Sequence, residues 1–150
     1  MDALDYQILS CLKENSRENA TNIGNKINLS TSAVIERIKK LEAAEVISQY
    51  TMLINPSATG RELIAFISVR LEHPSFNDSF IDNIKANHHV TECHYIAGDF
   101  DFLLKVVTTN SKKLESMLNY IKGIKGVSLT RTSVVLSTNK NEVCVLPEIE

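Results

Sequence analysis

The first part of the chain carries apolar residues at helical spacing. Leu4, Ile8 and Leu12 recur every fourth residue and form one stripe of a predicted helix. Asp2 stands just before this stripe, where its carboxylate can cap the helix by accepting a backbone N–H. The apolar pattern stops near residues 15–16. We therefore expect a first helix of about three turns.

Two further helical segments follow, separated by a turn of about three residues. Asn19 can cap the first of them and Ser30 the second, while Asn28 between them tolerates the left-handed backbone that ends many helices. Their apolar positions are Ile23, Ile27, Val34, Ile38 and Leu41. Two short helices joined in this way indicate a helix–turn–helix, for which the first helix supplies an apolar floor.

The chain changes character after the third helix. Residues 46–54 (VISQYTMLI) predict a strand, either a wing or a strand that leads out of the first domain. The stretch that follows, Asn-Pro-Ser-Ala-Thr-Gly, is typical of a linker. The predicted division is a helix–turn–helix domain over residues 1–54, a linker over residues 55–61 and a second domain over residues 62–150.

The second domain repeats one strand–helix–strand unit. Its predicted strands are residues 63–71, 90–97, 102–108 and 127–136. Its predicted helices carry Phe80, Ile81 and Ile84 in the first unit and Leu114, Leu118 and Ile121 in the second, which Asn110 or Ser111 can cap. This βαββαβ order is ferredoxin-like. The whole chain is thus expected to be α+β, a winged helix–turn–helix followed by a ferredoxin-like domain.

Composition narrows the class of protein. The 150 residues are 43% hydrophobic and 23% charged, with a net charge of −2, which suits a globular chain and excludes a basic protein that coats DNA. No apolar run approaches the length of a membrane span, and the first residues lack the features of a signal peptide. The three cysteines are widely spaced, so we expect buried, unpaired thiols in a cytoplasmic protein.

Basic residues are concentrated around the third predicted helix. Lys26, Arg37, Lys39 and Lys40 outnumber Glu36 and give a local charge of +3. In a helix–turn–helix the start of the second helix meets base edges, while nearby cations neutralise phosphates. Motif and charge together favour DNA binding over the alternative of a solvated charged face.

The predicted DNA-binding residues fall into two groups. Small hydroxyl side chains at the helix start can donate to the groove, although Ser30 alone is also explained as a cap. Arg37 is the best candidate for a two-pronged contact with a base or a phosphate, and Lys40 for a phosphate contact. The full set is Ser30, Thr31, Ser32, Arg37, Lys39 and Lys40.

These residues also carry a family resemblance. The pattern runs Asp2-x-x-Asp5-x-x-Ile8-Leu9-x-x-Leu12, then Asn15-Ser16-Arg17, then Leu29-Ser30-x-Ser32-x-Val34-x-x-Arg37-Ile38-x-x-Leu41-Glu42. It resembles the N-terminal domain of the Lrp/AsnC (leucine-responsive/asparagine-responsive, feast-or-famine) transcriptional regulators. The second half resembles the regulatory (RAM) domain of that family, including Gly98-Asp99-Phe100-Asp101 and Gly126-Val127. Three positions depart from the family pattern: Gly24 stands where the family usually has alanine, Asn28 where it often has glycine, and Ala44-Glu45 where it usually has a glycine turn.

A four-stranded sheet with both helices on one face leaves its other face uncovered. We expect two copies to pair through that face into a homodimer, since exposed β-branched and aromatic residues favour association. Two helix–turn–helix units would then bind half-sites about 34 Å apart in a pseudo-palindromic DNA duplex. The resemblance implies further assembly into tetramers or octamers.

The loop Gly98-Asp99-Phe100-Asp101 is a candidate site for a small molecule. Its glycine permits close approach of a ligand, and its two carboxylates could bind the ammonium group of an amino acid. Polar groups on the last strand could bind the ligand's carboxylate. The predicted effector-binding residues are Tyr95, Gly98, Asp99, Phe100, Asp101, Thr130, Thr132 and Ser133. The alternative is a tight turn held by local hydrogen bonds, whereas the resemblance implies that amino-acid effectors bind at this loop.

Catalytic interpretations find little support in the sequence. His88, His89, Cys93 and His94 suggest a metal cluster at first. A strand rises about 3.3 Å per residue, so His89 and Cys93 would lie roughly 13 Å apart, too far to share a metal. No nucleophile, phosphate-loop or zinc-protease motif is present. We therefore predict no metal, no cofactor and no enzymatic activity.

Two alternatives stay open. Sirohaem decarboxylases resemble the same family and would use the second domain to hold a tetrapyrrole. A stand-alone amino-acid sensor would act through protein partners and would not need the cations of the third helix. The intact run of residues 30–40 favours a DNA-binding regulator over both.

Overall fold

Three helices form the amino-terminal unit in a computed structural model that describes residues 1–148. They are α1 (Ala3–Glu14), α2 (Ala20–Ile27) and α3 (Thr31–Ala43). Ile8, Ile23, Val34 and Leu41 are buried together and form the core of this unit. One apolar stripe from each helix therefore meets at a single centre, as the helical spacing predicted.

Each of the three helices begins at its predicted cap. The Asp2 carboxylate accepts from the Asp5 N–H at 2.9 Å, and the Asp5 carboxylate accepts from the Asp2 N–H at 3.0 Å, so the two residues form a reciprocal capping box. Asn19 accepts from the backbone of the third residue after it, and Ser30 does the same. These side chains satisfy N–H groups that have no partner inside the helix.

The turn between α2 and α3 depends on two unusual backbone positions. Asn28 has φ 58° and ψ 44°, the predicted left-handed conformation. Gly24 lies so close to the next segment that a Cβ there would be 2.5 Å from the Leu29 carbonyl oxygen. Helix propensity alone disfavours glycine within a helix, but here the glycine permits the close approach of two backbones.

The strand predicted over residues 46–54 is not formed. The Val46 and Ile47 N–H groups donate to the Leu41 carbonyl and close the end of α3, and the Tyr50 hydroxyl donates to the Glu42 carboxylate at 2.9 Å. The rest of the segment has no regular secondary structure and is exposed. A strand requires a partner for its backbone groups, and no described segment of this chain pairs with it.

The second unit contains the predicted four strands and two longer helices. A short helix, α4 (Pro56–Thr59), occupies the segment that was expected to be a plain linker. The strands are β1 (Leu63–Leu71), β2 (Val90–Tyr95), β3 (Phe102–Thr108) and β4 (Val127–Val134). The helices are α5 (Asn77–Lys85), which follows a 3₁₀ turn at Pro74–Phe76, and α6 (Ser111–Gly123), which Asn110 caps.

The sheet has strand order β2-β3-β1-β4 with all neighbours antiparallel. Alternate residues of the two central strands are buried against α5 and α6; they are Ala65, Ile67, Val69, Leu71, Phe102, Leu104 and Val106. The opposite side, which we call the open face, is covered by no helix of the described residues. Its apolar members include Ile64, Phe66, Leu103, Val107 and Leu129.

The chain divides into two compact units whose bounds differ from those of the predicted domains. The first comprises Met1–Leu53 together with the described part of Lys140–Glu150, and the second is Ile54–Asn139. The prediction placed residues 140–150 in the second domain. Their association with the first unit includes an ion pair of 3.0 Å between Lys13 Nζ and the Glu142 carboxylate.

Candidate nucleic-acid interface and effector loop

The outward face of α3 is the candidate DNA-binding surface. Thr31, Ser32, Ile35, Glu36 and Lys39 are exposed along it, while Val34, Ile38 and Leu41 face the core or pack against it. The sequence prediction missed Ile35, whose side chain is 42% exposed. Its position on a helical wheel, away from the buried stripe, was the signal that could have found it.

Three of the four cations counted around α3 are paired with carboxylates. Lys26 contacts Glu18 at 3.1 Å, and Lys40 contacts Glu36 at 2.9 Å. Arg37 is also paired, as described below. Within residues 1–148, Lys39 has no carboxylate within ion-pair distance and is exposed. The predicted local charge is therefore neutralised in large part, and Lys39 is the cation most available to a phosphate.

Arg37 contacts the capping box of α1 rather than solvent. Its Nη1 lies 2.7 Å from Asp5 Oδ1 and 2.9 Å from Asp2 Oδ2. The hydrogen bond from the Asp5 N–H, followed by the Arg37 guanidinium, lowers the pKa of Asp2. The same two carboxylates raise the pKa of Arg37. This geometry makes Arg37 a link between α3 and the start of α1.

The loop predicted to hold an effector is tied to the end of β1. Gly98 has φ 130°, a conformation that favours glycine. The Asp101 carboxylate accepts from the Leu71 N–H at 2.7 Å, and the Asp101 N–H donates to the Val69 carbonyl at 2.9 Å. The Phe100 ring is buried. Asp101 therefore serves the fold, and of the two carboxylates only that of Asp99 is left exposed on the loop.

The remaining predicted effector residues do not all converge on that loop. Paired residues of an antiparallel ladder share a face. Thr130 pairs with Val69 and Thr132 with Ile67, so both lie on the helix-covered side, whereas Ser133 pairs with Phe66 on the open face. Tyr95 is on the edge strand, 68% exposed, with its ring 5.2 Å from that of Phe102. The four residues thus occupy different surfaces.

Histidines and cysteines form no metal-binding group in the part of the chain that the structure describes. His88 and His89 stack on each other with ring centroids 4.2 Å apart, and His94 contacts the Glu92 carboxylate. Cys93 and Cys144 are exposed rather than buried as expected, because one lies on the edge strand and the other in the tail.

Among residues 1–148 no helix is both long and apolar enough to cross a bilayer.

A helix–turn–helix unit joined to a ferredoxin-like sheet domain defines a DNA-binding transcriptional regulator with a separate ligand-binding domain. Comparison with family sequence models gives the same result. Residues 1–42 match the AsnC-type helix–turn–helix domain, and residues 64–143 match the Lrp/AsnC ligand binding domain. The chain belongs to the Lrp/AsnC family, which confirms the resemblance in its sequence.

Curated relatives match along almost the whole chain. The HTH-type transcriptional regulator FL11 of Pyrococcus abyssi is 33% identical over 147 residues, which cover 98% of this chain and 96% of that protein. The leucine-responsive regulatory protein of Haemophilus influenzae is 32% identical over 143 residues, which cover 93% and 86% of the two chains. The first is named as a transcriptional regulator and the second as a regulatory protein.

Solved structures share the fold over the same length. A transcriptional regulator of Neisseria meningitidis in complex with L-methionine has a TM-score of 0.92 at 27% identity, with 97% of this chain and 96% of that chain covered. A feast or famine regulatory protein of Mycobacterium tuberculosis, also complexed with L-methionine, has a TM-score of 0.89 at 28% identity, with 97% and 99% covered. The helix–turn–helix and ferredoxin-like class is thereby confirmed at the level of the whole fold, whereas the predicted wing strand is not formed by residues 1–148.

Proposed function

We propose that the protein regulates transcription by placing the outward face of α3 in the major groove of DNA. The observation that carries this proposal is the composition of that face. Hydroxyl groups lie at its start, one exposed isoleucine lies at its middle and one cation without a described ion pair follows. The helix also comes directly after the three-residue turn that brings a recognition helix to DNA.

Each exposed residue of α3 fits one kind of contact. Thr31 and Ser32 carry hydroxyl groups that can donate to phosphates or base edges. Ile35 can pack against the methyl group of a thymine, which is an apolar feature of the major groove. Lys39 fits a phosphate contact, and Lys40 a weaker one because it also contacts Glu36. Ser30 acts as the cap that orients the start of the helix.

Arg37 takes a different role in this proposal from the one its sequence suggested. Its terminal nitrogen Nη1 already contacts Asp2 and Asp5. A guanidinium held by two carboxylates has less to gain from a phosphate, because the new contact replaces existing ones. We assign Arg37 to the positioning of α3 against α1, so that it supports DNA binding without touching DNA.

Two copies of the chain supply two recognition helices. The open face exposes Phe66 in the single chain, and pairing of two such faces would remove this ring from water. The end of the face next to the loop of residues 98–101, which carries Arg70 and Arg131, stays uncovered in the proposed pairing. A homodimer then binds two half-sites about 34 Å apart, or a multiple of it, in a pseudo-palindrome. Further pairing of dimers gives the tetramer or octamer that the family resemblance implies.

An amino acid is the proposed effector of the second unit. The Neisseria and Mycobacterium regulators described above were solved with L-methionine, and residues 64–143 of this chain match the same ligand-binding domain. The exposed loop of residues 98–101 offers the Asp99 carboxylate to an ammonium group. Binding there would change the affinity for DNA by changing the assembly of the sheet domains.

The named relatives favour a regulator over the two alternatives raised by the sequence. Proteins that match along almost the whole chain are named transcriptional regulators. The hydroxyl groups and the cation on the outward face of α3 suit DNA, and a sensor that acts only through protein partners would not need them. Purified protein without a Soret absorption band after incubation with a tetrapyrrole is the expected result. A stable coloured complex would instead support the sirohaem-type enzyme.

Selection from a random duplex library tests the proposal. The protein should enrich a sequence with two related half-sites, and its affinity should fall steeply with salt because bound phosphates release counterions. Lys39→Ala should weaken binding and reduce the slope of log affinity against log salt by about one for each bound copy. Lys112→Ala, an exposed lysine of α6, is the matched control. Failure to enrich any sequence would refute the DNA-binding proposal, and an unchanged slope for Lys39→Ala would refute its assigned contact.

A further inference from the structure

Two arginines from neighbouring strands lie against one buried aromatic ring at the effector loop. The Cζ atom of Arg131 on β4 is 4.8 Å from the Phe100 ring centroid, and that of Arg70 on β1 is 5.6 Å away. Phe100 is only 7% exposed, so the ring is a fixed platform. Arg70 pairs with Leu129 and Arg131 with Ser68 in the ladder, which places both side chains on the open face.

Neither guanidinium is neutralised by the described part of the chain. No carboxylate of residues 1–148 lies within 4.0 Å of Arg70 or Arg131. Arg70 donates from Nε to the Asp99 carbonyl at 2.7 Å, which leaves its two terminal nitrogens for another acceptor. Arg37 in the first unit shows the contrasting case, with two carboxylates on one nitrogen.

The loop supplies one complementary negative charge for a ligand. Asp101 is engaged by the backbone of Leu71, whereas the exposed Asp99 carboxylate accepts no hydrogen bond from the residues that the structure describes. The available charged groups are therefore two guanidinium groups and one carboxylate. Because like charges held near each other favour binding of an opposite charge, this set suits a ligand with two anionic groups and one cationic group.

We infer that the effector is an acidic amino acid, L-glutamate or L-aspartate. One of its carboxylates contacts Arg70, the other contacts Arg131, and its ammonium group contacts Asp99. An apolar amino acid has a single carboxylate and would leave one guanidinium without a partner, so it should bind more weakly. This inference rests on the proposed amino-acid control and adds the chemical class of the ligand.

Calorimetric titration of the full chain with individual amino acids tests the inference. L-glutamate or L-aspartate should bind at least about tenfold more tightly than L-glutamine, L-leucine or L-methionine, since a hydrogen bond between a guanidinium and a carboxylate is stronger than one between neutral groups. Arg131→Gln should weaken binding of the acidic amino acid by about tenfold and leave that of L-glutamine nearly unchanged. Arg61→Gln, an exposed arginine elsewhere in the second unit, should leave both unchanged. Thermal melting checks that Arg131→Gln is folded.

The possible outcomes separate the inference from the function on which it rests. Preference for L-leucine or L-methionine would overturn the acidic ligand class but leave amino-acid control intact. Absence of binding by every amino acid, in a protein that still binds its selected DNA, would overturn both the ligand class and the effector, while DNA binding would stand. Tight binding of L-glutamate or L-aspartate that Arg131→Gln does not weaken would place the ligand elsewhere and overturn the assigned site.

Discussion

Arg37 on α3 and Asp5 on α1 are joined by a contact of 2.7 Å between Nη1 and Oδ1, across 32 positions of sequence. The same nitrogen contacts Asp2, whose carboxylate also caps α1. One cation thus fixes the start of the first helix against the middle of the recognition helix. The orientation of α3 depends on this link as well as on its apolar core.

Removal of the Arg37 side chain should lower both stability and DNA affinity. Arg37→Ala is expected to reduce the melting temperature of the first unit by a few degrees, because two carboxylates lose their partner. It should also weaken binding to the selected duplex by several-fold through misplacement of α3, with the salt slope unchanged. Arg37→Lys should restore only part of the melting temperature and of the DNA affinity, since an ammonium group cannot reproduce the contacts of the planar guanidinium.

The opposite result would support the direct contact of Arg37 with DNA that the sequence predicted. If Arg37→Ala left the melting temperature unchanged and reduced the salt slope by about one per bound copy, Arg37 would contact a phosphate directly. Melting by circular dichroism and binding by fluorescence anisotropy measure the two quantities on the same samples.

Acid should weaken the amino-terminal unit through Asp2. The pKa of Asp2 is lowered in the folded protein by the Asp5 N–H and by Arg37. A lowered folded pKa contributes stability above the ordinary pKa of an aspartate and loses it as the pH falls through the folded value. The wild-type protein should therefore lose stability more steeply than Asp2→Asn below about pH 4.

Comparison with Asp2→Asn isolates the contribution of Asp2 to the pH dependence of stability. The other carboxylates are present in both proteins, so their contributions cancel in the difference. Asparagine can still cap the helix, but it carries no charge opposite Arg37. The variant should therefore be less stable than wild type at pH 7, and the difference should shrink toward pH 2. A difference in unfolding free energy that stays constant from pH 7 to pH 2 would contradict the assignment.

Gly24→Ala should destabilise the protein, although alanine is the better helix former. The added Cβ would lie 2.5 Å from the Leu29 carbonyl oxygen, so one backbone must move. Such overpacking typically costs about 1–3 kcal/mol, more than the propensity gain of about 1 kcal/mol. Urea unfolding measures the change.

Gly123→Ala is the matched control, because a Cβ at Gly123 meets no atom within 4 Å. It should be neutral or stabilising by up to about 1 kcal/mol. Equal effects of the two substitutions would show that Gly24 is not required for the approach of α2 to the next segment.

Glu45→Gly should stabilise the protein by about 1 kcal/mol. Glu45 has φ 56°, the left-handed conformation that costs a residue with a Cβ roughly 1–2 kcal/mol. Glycine removes that cost, partly offset by its greater freedom in the unfolded chain. Glu115→Gly, in the exposed interior of α6, should instead destabilise by about 1 kcal/mol. A loss of stability for Glu45→Gly would argue against this backbone conformation.

Local signals in the sequence predicted most of the fold. Asp2, Asn19, Ser30 and Asn110 were identified as caps because each acts on a backbone N–H within three residues of itself. The strand predicted over residues 63–71 likewise has the bounds of β1. The prediction of a strand over residues 46–54 was wrong because these residues have strand propensity but pair with no strand among the described residues 1–148.

Contacts between distant residues could not be predicted in the same way. No local pattern indicates that Arg37 contacts Asp2 and Asp5, or that the Asp101 carboxylate is engaged by Leu71. The separation of Thr132 from Ser133 is a different case. Adjacent strand residues point to opposite faces, so the sequence already contained the reason why the two could not line one site.

The hydrogen bonds of Asp101 have a mechanical consequence for any signal that begins at the loop. They fasten the loop to the last residues of β1, and β1 is the central strand that pairs with both β3 and β4. A displacement of Asp101 would therefore act directly on the end of β1, in the middle of the sheet. β1 also forms part of the open face, through which we propose that two copies pair. A ligand bound at the loop and the contact between two copies would therefore act on the same strand.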